Sequence, residues 1–472
     1  MAFAYKVHSV QHAEQVLPPP RRYRAAEYFV IFEILSQLAL LVPAFEARHG
    51  LFRAATFGAS LFLLPLALIP GRRRHPAARA AIVILAILAL SILNPMRNSW
   101  LSAFAQLVLY GAILAPLFWV PGLNLDSRTW YRVLFILWVF HTLSATTGIL
   151  QVYFPGRFQP NVSSVLADRL AYLKALRIDT ETGQLVFRPM GLTDAPAGAA
   201  TAGLYAVCLG LLLFVREKRR LWLRLALAAS MPIGLAAIAL SQVRTTMVMV
   251  AVCVTAFLVL LQLRNFRVRG RRTRFGERIS KANILLAALT IGGTLTLGGT
   301  LALSLANKTV TKRITSLFSE SPGQVYLSNR GYFLENTIDN LLPKYPLGAG
   351  PGRWGMMYSY FGNPSNLDSP MIWAEIQWTG WLLDGGVPLI LAYVYALGLC
   401  LSFALRTALD RNATELGVFA AFVFAYDLAA LSQTFDDPFF ISQGGMEFWF
   451  MNALLFATAL AFSRRGVRRL RS

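Results

Sequence analysis

Twelve runs of mostly apolar residues, each near the length of a bilayer crossing, constrain this chain more than any other feature. A bilayer core of roughly 30 Å needs about 20 such residues per helix. The runs cover residues 26–46, 51–70, 78–95, 100–121, 130–154, 196–215, 223–242, 245–263, 283–306, 386–405, 415–433 and 447–463. The expected fold is an all-α polytopic membrane protein with about twelve transmembrane helices. A polar tail, residues 1–24, precedes the first run, which is too long for a cleavable signal and lacks a small-residue exit site. The expected organisation is therefore this tail, one transmembrane domain over 25–463, and a basic tail over 464–472.

Composition fits that reading and adds an orientation. Hydrophobic residues make up 56% of the chain and charged ones 14%, yet 45 Lys and Arg stand against 23 Asp and Glu, a net charge of +22. Thirty of those 45 fall in 1–24, 71–79, 122–132, 216–224, 264–281, 406–411 and 464–472, on alternate sides of the apolar runs. Short basic connections mark the cytoplasmic side, so both termini are expected inside, with these residues facing anionic lipid headgroups. Basic residues placed this way, with no RNA-binding motif, argue against a nucleic-acid partner. Two long connections, about 155–195 and 307–372, face outward. Unstructured loops beyond ~12–15 residues are uncommon unless functional or disordered. These carry aromatic, Gly, Pro and charged residues and are expected to fold with short helices and to hold any chemistry.

Metal and disulfide chemistry find little support. Cys208, Cys253 and Cys400 all lie in apolar runs, and His8, His12, His49 and His75 lack ligand spacing. No metal site and no cofactor is expected.

Three constellations on the outer side carry candidate chemistry. Leu240-Ser241-Gln242-Val243-Arg244-Thr245-Thr246 joins two apolar runs. Arg244 there is either a helix-end cation reaching the interface or a ligand for an anionic headgroup, since a guanidinium forks onto phosphate oxygens. Next comes Ser328-Asn329-Arg330, leading into a stretch that puts Leu334, Ile338 and Leu341 on one face of a short amphipathic helix. The Pro346-Leu347-Gly348-Ala349-Gly350 sequence after it lacks the Walker spacing of a phosphate loop and reads as a tight re-entrant turn. Arg330 is a surface ion-pair residue or an anion ligand. The third constellation runs from Trp373 through Glu375 to Gly385-Gly386. Glu375 among Trp and Ile is either a solvated carboxylate at a helix start or a desolvated general base. Two arginines and a carboxylate on one side suit a diphosphate and the deprotonation of a hydroxyl. Glu33, His141 and Asp427 are ionisable residues inside apolar runs, open to a structural or an ion-path reading.

The order of these motifs resembles the O-antigen ligase and O-antigen polymerase superfamily. The likeness spans roughly residues 185–460 and includes Arg188-Pro189-Met190-Gly191 before the sixth run. The resemblance implies a GT-C type membrane glycosyltransferase, independent of metal and nucleotide sugar, at the periplasmic face of a bacterial inner membrane. It would take glycan from an undecaprenyl-diphosphate-linked donor and pass it to a glycan or lipid-core acceptor, beside chain-length and export proteins. Arg244 and Arg330 would hold the leaving diphosphate and Glu375 would act as base. Arg188, Lys344 and Arg353 would contact headgroup or glycan. Ligases of this family carry a histidine where Glu375 stands, which favours a polymerase. The competing expectation is a transporter or flippase of lipid-linked glycan or polysaccharide, which binds without bond chemistry.

Overall fold

The structure, a computed structural model, describes residues 24–68, 73–123, 125, 127–160, 177–179, 185–268, 330–410 and 414–469. Its main helices are α1 (Ala25–Ala39), α2 (His49–Phe62), α3 (Ala78–Ser91), α4 (Trp100–Leu114), α5 (Ser127–Tyr153), α6 (Gly198–Arg216), α7 (Leu221–Ser241), α8 (Arg244–Val268), α9 (Gln377–Leu409), α10 (Thr414–Gln433) and α11 (Gln443–Arg469). One small addition to the all-helical expectation is a ribbon in the 155–195 connection. There β1 (Arg177–Asp179) pairs antiparallel with β2 (Leu185–Phe187).

Nine helical stretches among the described residues are long and apolar enough to cross a membrane: Gly50–Leu68, Trp100–Gly122, Arg128–Tyr153, Gly198–Arg216, Leu221–Ser241, Arg244–Phe266, Gln377–Leu409, Glu415–Gln433 and Gln443–Ser463. Each coincides with one of the twelve apolar runs. Two other runs form shorter helices, α1 with 15 residues and α3 with 14. The run at 283–306 lies outside the described residues, as do Ser328 and Asn329. This is a membrane-embedded helical protein, and large apolar side chains such as Leu90, Leu101, Phe104, Leu225 and Leu391 are exposed on its helices, where hydrocarbon replaces water.

Inside the bundle, contact depends on small residues and stacked rings. A Cβ on Gly203 would lie 2.4 Å from the Gly234 carbonyl oxygen, so α6 and α7 cross backbone to backbone there. Small residues permit that approach between membrane helices, where dispersion takes over from hydrophobic association. Trp130 stacks on Phe419 with centroids 4.6 Å apart, and Trp381 on Tyr393 at the same distance.

Helix α9 starts nine residues earlier than the run at 386–405, and it is two helices joined at a kink. Gly386 adopts φ 68°, ψ −161° and Pro388 follows within the helix. The kink frees main-chain groups, and the 346–350 turn takes them up. Val387 N–H donates to the Pro346 carbonyl at 2.9 Å, and Ala349 N–H donates to the Leu383 carbonyl at 2.8 Å. Gly348 adopts φ 94° where its Cβ would press on the Gly385 and Gly386 nitrogens. The turn is thus the complement of a broken helix.

Candidate functional site

The short half of α9, before the kink, is set by one buried carboxylate. Asp384 accepts from Gln106 Nε2 and the Tyr110 hydroxyl at 2.8 Å, from Trp354 Nε1 at 3.0 Å and from Gly352 N–H at 3.3 Å. A charge that deep is tolerable only with its lone pairs filled. The result fastens α4, the 346–355 loop and α9 together. Trp354 reaches Asp384 because Gly380 has no Cβ, which would sit 2.3 Å from the indole.

At the head of α9 the structure gathers charges. Arg330 Nη1 donates to Glu375 Oε2, and Arg330 Nε donates to Asp436 Oδ1 at 3.2 Å. Trp373 Nε1 fills the other Glu375 oxygen at 2.8 Å. The side chains of all three charged residues keep 21–32% exposure, so a ligand can reach them. Burial works against the Arg330 charge, but Glu375 and Asp436 outweigh it and hold the guanidinium above its ordinary value. Asp437, beside the pair, is pushed up to about 7, first by the surrounding protein, with Asp436 and Glu375 adding and Arg330 opposing. Asp437 is nonetheless exposed to solvent, which screens the shift, so the direction is upward and the carboxyl stays below that value.

Gln377 and Gln433 place the acidic turn. Gln377 N–H donates to the Thr434 carbonyl at 3.0 Å and its Oε1 accepts from Phe440 N–H at 2.7 Å. Gln433 Nε2 donates to the Thr245 carbonyl at 3.2 Å. Thr245 follows Arg244, the first residue of α8, after Gln242 turns the chain at φ 55°. Arg244, Arg330 and Glu375 therefore lie at one end of the bundle, joined through residues 433–437.

Several expectations change. Glu375 faces the Arg330 guanidinium as well as Trp373, and its side chain keeps 21% exposure, between the solvated and desolvated readings the sequence left open. The helix after Arg330 contains a π-helical turn, Thr337–Leu341, whose extra residue per turn rotates the expected apolar face. Ile338 is 53% exposed as a result, and Thr337 is buried instead, 2.6 Å from the Thr379 hydroxyl.

Arg353 is corrected more firmly. It is 3% exposed and donates to the carbonyls of Pro370 and Met96 at 2.9 and 3.0 Å, so its guanidinium holds loops together rather than meeting headgroup or glycan. Lys344 lies on an exposed flank with Nζ 5.3 Å from the Tyr345 ring centre. Arg188 belongs to a second cluster, where Gln151 Oε1 accepts from Met190 and Gly191 N–H at 2.8 Å each and Arg53 pairs with Asp194.

Asp436 and Asp437 are the residues that sequence reasoning missed. Their signal was faint: an Asp-Asp-Pro between two apolar runs, resembling any acidic turn. Among the described residues no group of three His, Cys, Asp or Glu side chains is arranged to hold a metal ion.

No protein-family model and no curated protein matches this chain.

Proposed function

We propose that the chain is a membrane glycosyltransferase that moves glycan from an undecaprenyl-diphosphate-linked donor onto a glycan acceptor, a polymerase before a ligase. In this reading the run at 283–306 and the two short helices complete twelve spans, both termini are cytoplasmic, and the site faces the periplasm of a bacterial inner membrane. One observation carries it: an arginine held between two carboxylates at 21–32% side-chain exposure, at the bundle end where Arg244 also begins its helix.

The chemistry follows from those groups. An acceptor hydroxyl attacks the anomeric carbon, the carbon–oxygen bond to the diphosphate breaks, and that oxygen keeps the electron pair. Arg330 and Arg244 stabilise the growing negative charge, the task for which fixed donors count most. Glu375 and Asp436 orient Arg330, with Glu375 Oε2 on the guanidinium and Oε1 already taken by Trp373 Nε1. The hydroxyl proton passes to Asp437, whose carboxyl has no cation bonded to it among the described residues, is exposed to an incoming acceptor and is raised above its ordinary range by the surrounding protein and the neighbouring Asp436 and Glu375. This reassigns the base from Glu375 to its neighbour and leaves Glu375 as a positioning residue.

The test is the purified protein with a diphosphate-linked glycan lipid. The reading expects longer glycan and free undecaprenyl diphosphate in equal amounts, both lost in Arg330→Ala. Glycan moved across a vesicle membrane with its diphosphate bond intact would favour the transporter.

A further inference from the structure

We propose that a proton-binding site lies inside the bundle, loaded from the end that carries Arg330 and Glu375. It is built from the acids Glu33, Glu447 and Asp427 and relayed by Tyr205 and Tyr426. These groups come from four helices and are buried, none more than 7% exposed. Glu33 on α1 and Glu447 on α11 are near enough to act on one another electrostatically. Glu447 reaches the Tyr205 hydroxyl on α6, which lies 2.5 Å from the Tyr426 hydroxyl on α10. Asp427 follows on the same helix and accepts from Asn452 Nδ2 at 2.9 Å. His141 stacks on Tyr205 with centroids 4.3 Å apart.

Two observations point to protons. First, Glu33 Oε1, Glu447 Oε2, Asp427 Oδ2, Asn452 Oδ1 and His141 Nε2 are buried atoms with no hydrogen-bond partner among the described residues. The four oxygens are acceptors, and a buried acceptor without a donor is costly. A proton on each acid turns one acceptor into a donor. Second, among the described residues the ionisable groups acting on the acids add no positive charge. They are Tyr205, Tyr426, the paired acids themselves, and, around Asp427, Cys253 on α8 and Cys400 on α9. An ionised carboxylate there would be buried uncompensated.

Direction comes from the helix register. Gln37 donates to Gln443, and these lie one helical turn from Glu33 and Glu447 on the same faces, toward the end where α11 begins beside the Asp436 turn. Beyond Asn452, α11 continues with buried apolar Leu454, Leu455 and Phe456. The path therefore enters at the site end and stops near Asp427. Each hydroxyl along it gives up its proton on one side as it takes one on the other, so bulk water and carboxylate exchange one proton with no other change. Glycosyl transfer is not needed for this.

Infrared spectroscopy of the full chain in vesicles decides it. The carbonyl-stretch band of protonated carboxylic acids should be present at neutral pH and shift down in D₂O. Glu447→Gln and Asp427→Asn should each remove one component, and Tyr426→Phe should keep both while slowing the Asp427 shift. Should either acid variant fail to fold, the other and Tyr426→Phe still decide. All are recorded in an Asp437→Asn background so that this residue's own band does not contribute. A spectrum unchanged in both acid variants, or a band that never shifts in D₂O, overturns the proposal. So does a band lost on adding NaCl at constant pH, which would make the site one for a cation.

Discussion

Arg330 donates its Nε to Asp436 at 3.2 Å across 106 positions of chain, and through that bond the helix entered at Arg330 meets the turn between α10 and α11. Replacing Arg330 with Ala should lower transfer by roughly 10²–10³-fold, the usual cost of losing one oxyanion-stabilising donor. The ion pairs are partly exposed, so thermal stability in detergent should fall by no more than about 1 kcal/mol. A stable variant with full activity would remove Arg330 from the mechanism.

Asp437 should impose an acid limb on the pH–rate profile with a midpoint above the ordinary 3.8 of an aspartate. Asp437→Asn should abolish that limb together with most activity, whereas Glu375→Gln should lower the rate and keep the limb. The stability effect has the opposite sign. The native carboxyl holds its proton above the ordinary 3.8, so between 3.8 and the raised native value the folded protein holds more protons than the unfolded one. Stability should fall as pH rises through that window, and less so in Asp437→Asn, as read by melting temperature against pH.

Gly386→Ala should be poorly tolerated. The position needs φ 68°, and the new Cβ would lie 2.3 Å from the Pro346 carbonyl oxygen. Backbone strain of this kind costs of order 1–3 kcal/mol, and the clash would push the 346–350 turn away from α9. Melting of the solubilised protein should drop, and donor binding with it. Gly398, with open space around its Cβ, is the control.

Asp384→Ala should destabilise by about 3 kcal/mol or more, because it strands several buried donors at about 1–3 kcal/mol each. Asp384→Asn keeps the shape but turns an amide NH₂ toward donors, so it should rescue only in part. Chemical denaturation in mild detergent would read both.

Arg353→Ala should lower stability while leaving the KM for donor unchanged, as its donors go to main-chain carbonyls. A KM increase without loss of stability would return Arg353 to the binding site.

The bundle was legible because its cause is local in sequence: a run of apolar residues is helical in lipid wherever it sits, and nine of twelve runs appear as long helices. The pairing of Arg330 with Glu375 was half legible, since both stood out as outward charges beside apolar helices. Asp436 was not, because an acidic turn acquires meaning only from what faces it. The π-helical turn at Thr337–Leu341 was invisible too, and it redirected a face that a regular period had assigned to Ile338.

The sequence by itself determined that this protein lives in a membrane, where its helices run, and which few charges stand apart from topology. Apolar length and basic-residue placement act without reference to distant residues. Tertiary structure alone decided which charges work together. It spent Arg353 on loop carbonyls, closed Asp384 into a buried knot, bent α9 at Gly386 to receive the 346–350 turn, and set Asp436 and Asp437 against Arg330. Charge pairing depends on distance and local dielectric, and both exist only once the helices have packed.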